Sequence, residues 1–190
     1  MLDRQERPAI HPAPPVLVRP ARHAEYDVIR TLLSTGYHGY TTDIDSNVWP
    51  AYLADLLDLD RHASHGELLV AVVDDEIAGY AAFYPDASLQ HLGWPAGWAG
   101  GRGLVVHPDY RRFGVAAALL AELERRSHAV GAAAFAFHTS SFMTAAIPLY
   151  ERLGYRRVPE FDFDMNTHYG STAAKPWTAI AYLRCLPDAA

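Results

Sequence analysis

Residues 104–116 read LVVHPDYRRFGVA, and in this stretch a strand, a turn and the beginning of a helix follow one another directly. The apolar run at 104–106 predicts a strand, and the Pro-Asp pair at 108–109 marks a turn. From Gly114 onward the apolar residues recur with the spacing of a helix. We therefore predict that the helix begins at Arg111-Arg112.

This strand, turn and helix are suited to binding a phosphate. Arg111 and Arg112 place cations where the helix dipole favours anions, at about 0.3–1 kcal/mol each, and an anionic ligand would reverse that sign. Gly114 and Ala116 let a ligand approach the backbone, whose free N–H groups suit a diphosphate. A basic turn exposed to solvent explains the same residues, because R-x-x-G-x-A alone is a weak pattern.

Two motifs together resemble one protein family. Residues 106–116 resemble the acetyl-CoA signature of the GNAT superfamily of N-acetyltransferases, with Arg111, Gly114 and Ala116 on its Gln/Arg-x-x-Gly-x-Gly/Ala positions. Residues 146–155, AIPLYERLGY, are similar to the later A-x-x-L-Y-E-K-L-G-F block of that family. Two linked motifs at a fitting distance are more specific than either one alone.

The resemblance implies the GNAT fold, with acetyl-CoA as co-substrate and no metal. In that fold a central, mostly antiparallel sheet carries helices on both faces. Its fourth and fifth strands, here residues 98–106 and 132–138, splay apart and admit the pantetheine arm of CoA. The cofactor-binding positions implied on this chain are Leu104, Val105, Val106, Arg111, Arg112, Phe113, Gly114, Val115 and Ala116.

The resemblance also implies a catalytic acid. Tyr150 falls on the tyrosine that in many family members donates a proton to the CoA sulfur, and a phenol with a pKa of about 10 is protonated at neutral pH. A core tyrosine on an amphipathic helix is the alternative interpretation. Met143 stands where many relatives have an asparagine near the pantetheine, so that hydrogen bond is not expected here.

The catalytic base is not defined by the motifs. Some relatives have a glutamate on the fourth strand at the position of Arg102, so a carboxylate base on that strand is not expected. We predict that a base acts through water, and we favour His138 or Glu160. The other candidates are His107, Asp162 and Asp164. The ten histidines show no recurrent metal-ligand spacing.

Strand and helix patterns alternate along the chain, which predicts a mixed α/β sheet with helices on both faces. The predicted strands are residues 16–18, 68–73, 77–84, 98–106, 132–138, 155–158 and 177–186. The predicted helices begin near residue 24, at 49–59, at 114–130 and at 144–153. We expect the segment 36–40 to break the first helix. Tyr37, Tyr40 and Trp49 either border a pocket or only cover the core. Glycines at 100, 101 and 103 would permit a bulge.

Length and composition favour one globular domain. The chain has 190 residues, of which 50% are hydrophobic and 20% are charged. We predict a flexible tail at residues 1–15 and a single domain at 16–190. The net charge of -6 argues against nucleic-acid binding by bulk charge. The single cysteine, Cys185, cannot form an internal disulfide, and no segment reaches the roughly 18–20 apolar residues of a membrane span, so we predict a cytoplasmic protein.

The function expected from these features is the transfer of an acetyl group from acetyl-CoA to a primary amine of a small molecule or peptide, by direct attack in a ternary complex. A non-catalytic member that binds acyl-CoA as a sensor or interaction module is the alternative. A P-loop enzyme is disfavoured because the chain lacks G-x-x-x-x-G-K-S/T. The acceptor is not encoded in a motif, and a homodimer is the default expectation for the assembly.

Overall fold

The computed structural model describes residues 14–172 and 175–186 of the chain. Its strands are β1 (Leu17–Pro20), β2 (Glu67–Val73), β3 (Glu76–Tyr84), β4 (Ala99–Val106), β5 (Ala134–Ser140), β6 (Arg156–Arg157), β7 (Phe163–Asp164) and β8 (Thr178–Cys185). Its helices are α1 (Tyr26–His38), α2 (Trp49–Leu57), α3 (Leu59–His65), α4 (Val115–Ala129), α5 (Ile147–Arg152) and α6 (Met165–His168). Residues 1–13 of the predicted tail lie outside the described residues, so the tail and the single domain stay predictions.

The eight strands form one mixed sheet in the order β1-β2-β3-β4-β5-β8-β6, with β7 also paired to β8. All neighbouring strands are antiparallel except β4 and β5. Both sheet faces are covered: Val70 and Tyr80 pack in the cluster that contains α1 and α2, whereas Leu69 and Ala81 pack against α4. The alternation of buried faces along β2 follows from the two-residue period of a strand. The predicted GNAT-type sheet is confirmed.

Strands β4 and β5 separate soon after they meet. In the described part of the chain they pair only at Ala99 with Phe135 and at Gly100 with Ala136. Further along, β4 contains a bulge, where the register against β3 shifts and Gly103 has a φ of 68°. A bulge bends its strand and re-aims the neighbouring side chains. The predicted splay between the fourth and fifth strands is therefore present, together with the bulge that the glycines suggested.

Helix α4 begins later than predicted. The expected start at the two arginines is wrong, because the segment first makes a 3-10 turn at Pro108–Tyr110 and the helix starts at Val115. Arg112 and Gly114 both have positive φ, 69° and 82°, and such residues cannot continue a right-handed helix. The arginines consequently precede the helix. The end of α4 follows expectation, since Gly131 takes a φ of 69° just beyond it.

Two further helix boundaries differ from prediction. The expected break at residues 36–40 is present but comes late in the segment, because α1 continues through Gly36 and ends at His38, with Gly39 as its C-cap. A side chain at Gly36 would overlap Val105, so glycine there allows the helix to lie directly on β4. The helix predicted at 49–59 is divided into α2 and α3, because Asp58 leaves the helical conformation. Asp58 is the N-cap residue of α3, and its side chain accepts a hydrogen bond from Arg61 N.

The last third of the fold is more divided than predicted. Helix α5 starts at Ile147 and not at 144, which places Pro148 in the first turn, where a missing N–H is tolerated. Strands β6 and β7 have only two residues each, and α6 has four. Elements this short carry no periodic signal in a sequence. Among the described residues, no helix combines the length and apolarity needed to cross a bilayer.

Candidate active site

A cavity of about 360 Å³ lies where β4 and β5 diverge. It passes through the gap in the sheet, because its walls include residues from both sheet faces. On the face of α1 and α2 it is lined by Tyr37, Tyr40, Tyr52, Leu56, Gln90, Arg102, Val105, His138, Phe163, Met165 and His168. On the face of α4 and α5 it is lined by Leu104, Val106, Ala116, Leu120, Phe135, Phe137, Leu149 and Tyr150. Of the aromatic residues expected near a pocket, Trp49 is not among the lining residues.

The predicted cofactor residues fall into two groups. Five of them line the cavity: Leu104, Val105, Val106, Arg111 and Ala116. The other four lie around the turn that precedes and begins α4: Arg112, Phe113, Gly114 and Val115. In this second group the side chain of Val115 is buried in the core and that of Phe113 is 40% exposed. Neither side chain lines the cavity, so at these two positions only the backbone is a candidate for contact with the cofactor.

The turn at Gly114 opens the first turn of α4 to a ligand. Gly114 adopts the left-handed conformation, and a Cβ added there would meet no atom within 4 Å. No described side chain caps the helix, and the first intrahelical bond runs from Ala118 N to Gly114 O. The N–H groups of Val115, Ala116 and Ala117 therefore have no acceptor within the helix, and the helix dipole favours an anion at this end.

Tyr150 is buried in α5 and lines the cavity. Burial raises its pKa above the ordinary value of a phenol, and Tyr37 and Tyr40 on the other side of the gap add to this effect. Tyr150 is therefore protonated throughout the physiological range. Tyr37, Tyr40 and Tyr150 line the same cavity from its two faces.

His138 lies on β5 with its ring against Trp94, the two ring centroids being 4.2 Å apart and the ring planes tilted by 30°. Its Nε2 is 2.9 Å from the main-chain carbonyl of Phe161. A carbonyl can only accept, so Nε2 carries the proton and Nδ1 has a free lone pair. Nδ1 is buried without a hydrogen-bond partner among the described residues, as is Nε2 of the nearby cavity residue Gln90. Burial lowers the pKa of His138 to about 4, so the ring is neutral at pH 7.

Glu160 does not lie on the main cavity. It lines a second cavity of about 460 Å³, which shares Leu92, Phe163 and His168 with the first one. The structure thus brings His138 and Tyr150 to one cavity and leaves Glu160 at its neighbour.

The remaining base candidates have structural partners. Asp162 binds Arg157 through both carboxylate oxygens, at 2.8 and 2.7 Å. The Asp164 side chain accepts from Thr167 N as the cap of α6, and His107 accepts from Asp109 N in the turn after β4. None of the three lines the main cavity.

One polar cluster was not anticipated from the sequence. Arg102 on β4 forms an ion pair with Asp55 on α2, and Asp55 also pairs with Arg61 and accepts from Tyr169 Oη at 3.0 Å. Burial opposes the charge of Arg102, but Asp55 and the tyrosines around it outweigh this and raise its pKa. An arginine inside an apolar strand is itself a signal that a buried acid must be present, although the signal does not say which one.

His168 and Met165 also belong to the cavity wall and were not anticipated, because they come from the four-residue α6. Burial lowers the pKa of His168. Within residues 14–172 and 175–186, no group of three or more His, Cys, Asp or Glu side chains is arranged to hold a metal ion.

Comparison with known proteins agrees with this geometry. The family model described as Acetyltransferase (GNAT) family matches residues 29–155, which is more than half of the chain. The splayed strands and the turn before α4 lie inside that range. The chain therefore belongs to the GNAT family, and it is an acetyl-CoA-dependent acetyltransferase. No curated protein sequence is significantly similar to it.

Solved structures share the fold at low sequence identity. A GNAT acetyltransferase from Elizabethkingia anophelis with acetyl-CoA bound has a TM-score of 0.62 and 17% identity, covering 90% of this chain and 98% of its own. The PaiA N-acetyltransferase of Thermoplasma acidophilum, in complex with coenzyme A, has a TM-score of 0.65 and 12% identity, with 90% and 99% coverage. The ribosomal-protein-S18-alanine N-acetyltransferase of Escherichia coli has a TM-score of 0.61 and 15% identity, with 92% and 96% coverage.

Proposed function

We propose that this chain transfers the acetyl group of acetyl-CoA to a primary amine of a small molecule or peptide, by direct attack within a ternary complex. The observation that carries the proposal is the cavity through the sheet, which joins the turn at Gly114 to a second wall built from β5 and α6. One side of the gap suits the cofactor, and the other side is left for the acceptor.

The residues present fit coenzyme A. Beyond Gly100, the edge of β4 that faces β5 has no strand partner among the described residues, so its backbone groups are free to bond an extended chain. The pantetheine arm would lie against Leu104 and Val106. The diphosphate would lie at the first turn of α4, held by backbone N–H groups and by the charge of Arg111. Bound there, the thioester supplies the activated acetyl group.

The reaction needs a neutral amine, because only the lone pair can attack the thioester carbon. The N–C bond forms as the C–S bond breaks, and the negative charge that develops on the carbonyl oxygen is stabilised by backbone N–H groups of β4. Tyr150 donates a hydrogen bond to the departing sulfur. The pKa of Tyr150 is above that of a thiol, about 8.5, so the phenol stabilises the leaving thiolate by a hydrogen bond. If the phenol gives its proton to the sulfur, the proton lost from the amine restores it.

His138 is the proposed acceptor of the amine proton. The residue lines the cavity, its Nδ1 has a free lone pair, and the bond from Nε2–H to Phe161 O fixes that tautomer. With its pKa lowered to about 4, the imidazole is a weak base that is always available at neutral pH. The amine that attacks is the fraction that is already neutral in solution. The proton that it loses passes through water to His138 after the attack, so no carboxylate on β4 is needed. Glu160, at the neighbouring cavity, is the less favoured of the two candidates.

The acceptor side is consistent with a cationic amine arriving from solvent. The second cavity carries the exposed carboxylates of Glu160 and Asp164 and adjoins the first at Phe163 and His168. Opposite charge at a cavity mouth raises the local concentration of a cation. A peptide amine is also a candidate acceptor, because one solved structure with this fold is a ribosomal-protein-S18-alanine N-acetyltransferase.

The experiment is a turnover assay. Purified protein, acetyl-CoA and a panel of amino acids, polyamines, aminoglycosides and peptides are monitored for release of the CoA thiol and for acetylated product by mass spectrometry. Product from at least one class of amine supports the proposal. Tight acetyl-CoA binding with no turnover across the panel would instead favour the alternative, an acyl-CoA-binding module without catalysis.

A further inference from the structure

Arg102 is a buried cation on the α1 and α2 face of the cavity, the side left for the acceptor, which we call the acceptor wall. It stands on β4 directly before the bulge glycine, Gly103, and its side chain is 15% exposed. The side chain lines the main cavity, whereas its partner Asp55 does not. A guanidinium has five N–H donors in a planar fork, and the ion pair with Asp55 runs through Nη2. The arginine is thus anchored from behind and presented to the cavity.

The carboxylate beside Arg102 is shared. Asp55 serves two guanidinium groups, those of Arg102 and Arg61, and also accepts a bond from Tyr169. Arg61 has a second acid, Asp58, at 3.4 Å on the exposed side of the cluster, whereas Arg102 has an ion pair only with Asp55 among the described residues. A buried charge is stable only when it is paired.

The other titratable groups near Arg102 add no negative charge to the cavity wall. Tyr37, Tyr52 and Tyr84 have raised pKa values because of burial, so they are neutral phenols. His62, His138 and His168 have lowered pKa values, again because of burial, with the charge of Arg102 contributing in the same direction. All six are uncharged at pH 7. The wall thus presents a cation to whatever enters the cavity.

We propose that Arg102 binds a carboxylate of the acceptor, so that the acceptor is a free amino acid. The inference rests on the proposed function, because it takes the thioester to lie at β4 near Leu104. Two residues of a strand span about 6–7 Å, so one small molecule can reach both Arg102 and a thioester near Leu104. Arginine suits this role because its fork matches a carboxylate through two parallel hydrogen bonds. Asp55 is a positioning residue that orients the fork.

The test compares matched acceptors on the wild-type enzyme. Each amino acid of a panel is assayed beside its carboxamide and beside the amine in which hydrogen replaces the carboxylate. The amine of a carboxamide loses its proton more readily than that of the amino acid, so nucleophile availability works against the expected result. We expect kcat/KM for at least one amino acid to exceed that of both analogues by about 10- to 100-fold, the effect of one charge-assisted pair. Analogues that are equal or better throughout the panel would overturn the proposal.

Two variants locate the effect. Arg102→Gln should lower kcat/KM for the preferred amino acid by about 10- to 100-fold and leave its carboxamide and the affinity for acetyl-CoA unchanged. Asp55 keeps Arg61 and Tyr169 in this variant, so no unpaired acid is left behind. Arg61→Gln is the matched control: it also removes a partner of Asp55, but Arg61 is 45% exposed and does not line the cavity, so the preference should persist.

The outcomes separate the two claims. Turnover of amines without any preference for a carboxylate refutes the Arg102 site and leaves the acetyltransferase proposal intact. Absence of turnover with every amine contradicts the proposed function, and the carboxylate site is lost with it. If Arg102→Gln does not fold, the wild-type comparison of acids with carboxamides still decides. A preference that survives in folded Arg102→Gln would also overturn the assignment.

Discussion

The Nε2–H of His138 donates a hydrogen bond to the main-chain carbonyl of Phe161 over 2.9 Å, although the two residues lie on different elements 23 positions apart. This bond fixes the tautomer of the imidazole and leaves Nδ1 with a free lone pair in a residue that lines the cavity. Burial then holds the pKa of the ring at about 4. The consequence is a base that does not titrate in the working range of the enzyme.

The pH dependence of the rate should therefore follow the amine. We expect kcat/KM to rise with pH until the acceptor is neutral, with no separate step near the ordinary histidine pKa of about 6.5. His138→Gln should lower kcat/KM, toward the lower end of the about 10²- to 10⁴-fold range of general base catalysis, because the replaced base is weak. Rates measured between about pH 5.5 and 9 decide this point.

The control for His138 is Glu160→Gln, at the neighbouring cavity. It should retain the parental pH profile, with at most a change in KM from the lost charge. Should Glu160→Gln alter the profile while His138→Gln leaves it unchanged, the two roles are reversed and the proton leaves through the second cavity.

Tyr150→Phe should reduce kcat by about 10²- to 10⁴-fold with little change in acetyl-CoA affinity, because the phenol acts on the departing sulfur. Steady-state kinetics with calorimetric binding measure both quantities. Tyr155→Phe is the matched control, since Tyr155 is buried in the same aromatic cluster and its hydroxyl binds Glu124, but it does not line the cavity. Full activity in Tyr150→Phe would remove Tyr150 from the mechanism.

Lowering the pH should destabilise the fold already at pH values above those at which carboxylates titrate. His62 and His138 have pKa values lowered from 6.5 to about 4 by burial. Between these values the unfolded state binds more protons, so the free energy of unfolding falls as the pH falls from about 6.5 to 4. Glu25, whose pKa is lowered to about 2 by its bond from Arg19, contributes only below about pH 4.5. Urea unfolding at a series of pH values measures the slope.

His62→Gln provides the check on that slope. Glutamine does not titrate, so the dependence on pH between about 6.5 and 4 should become flatter, even if overall stability also decreases. His128→Gln alters an exposed histidine on α4 and should leave the slope unchanged. An unaltered slope in His62→Gln would show that the histidine does not contribute to acid sensitivity.

The packing of α1 on β4 gives a prediction on stability. A Cβ at Gly36 would overlap the side chain of Val105, whereas one at Gly39 would meet no atom within 4 Å. Gly36→Ala should therefore lower the free energy of unfolding by about 1–3 kcal/mol through overpacking. Gly39→Ala, at the end of the same helix, should raise it by about 0.4–1 kcal/mol. Denaturant titration compares the two, and equal effects would contradict the contact.

Local patterns predicted much of the fold. The strand at 99–106, the helix after Gly114 and the helix that carries Tyr150 each follow from apolar spacing and a few turn residues, and the two motifs identified the family. Helix boundaries could not be predicted in this way, because the positive φ at Arg112 and the split at Asp58 depend on turn geometry that spacing does not encode.

The acceptor wall could not be predicted in the same way. Arg102 and Asp55 are 47 residues apart, and nothing local to either residue indicates the other. The sequence contains 22 acidic residues, so the need for a buried acid beside Arg102 does not identify it. The α6 residues that complete the wall belong to an element of four residues, shorter than any helical repeat that a pattern can reveal.

The central claim is that acetyl-CoA lies along β4 with its diphosphate at the turn of Gly114. Gly114→Glu tests it, and Gly131→Glu is the matched control. Both glycines flank α4, both have positive φ, and in both places an added Cβ would meet no atom within 4 Å. Backbone strain is thus similar in the two variants, but only Gly114 lies at the proposed diphosphate site.

The measurement is the affinity for acetyl-CoA by isothermal titration calorimetry on the folded variants. The account predicts that Gly114→Glu abolishes detectable binding, because a side chain and a negative charge enter the diphosphate site, while Gly131→Glu binds as the wild type does. Wild-type affinity in Gly114→Glu, or an equal loss in both variants, would contradict the placement of the cofactor.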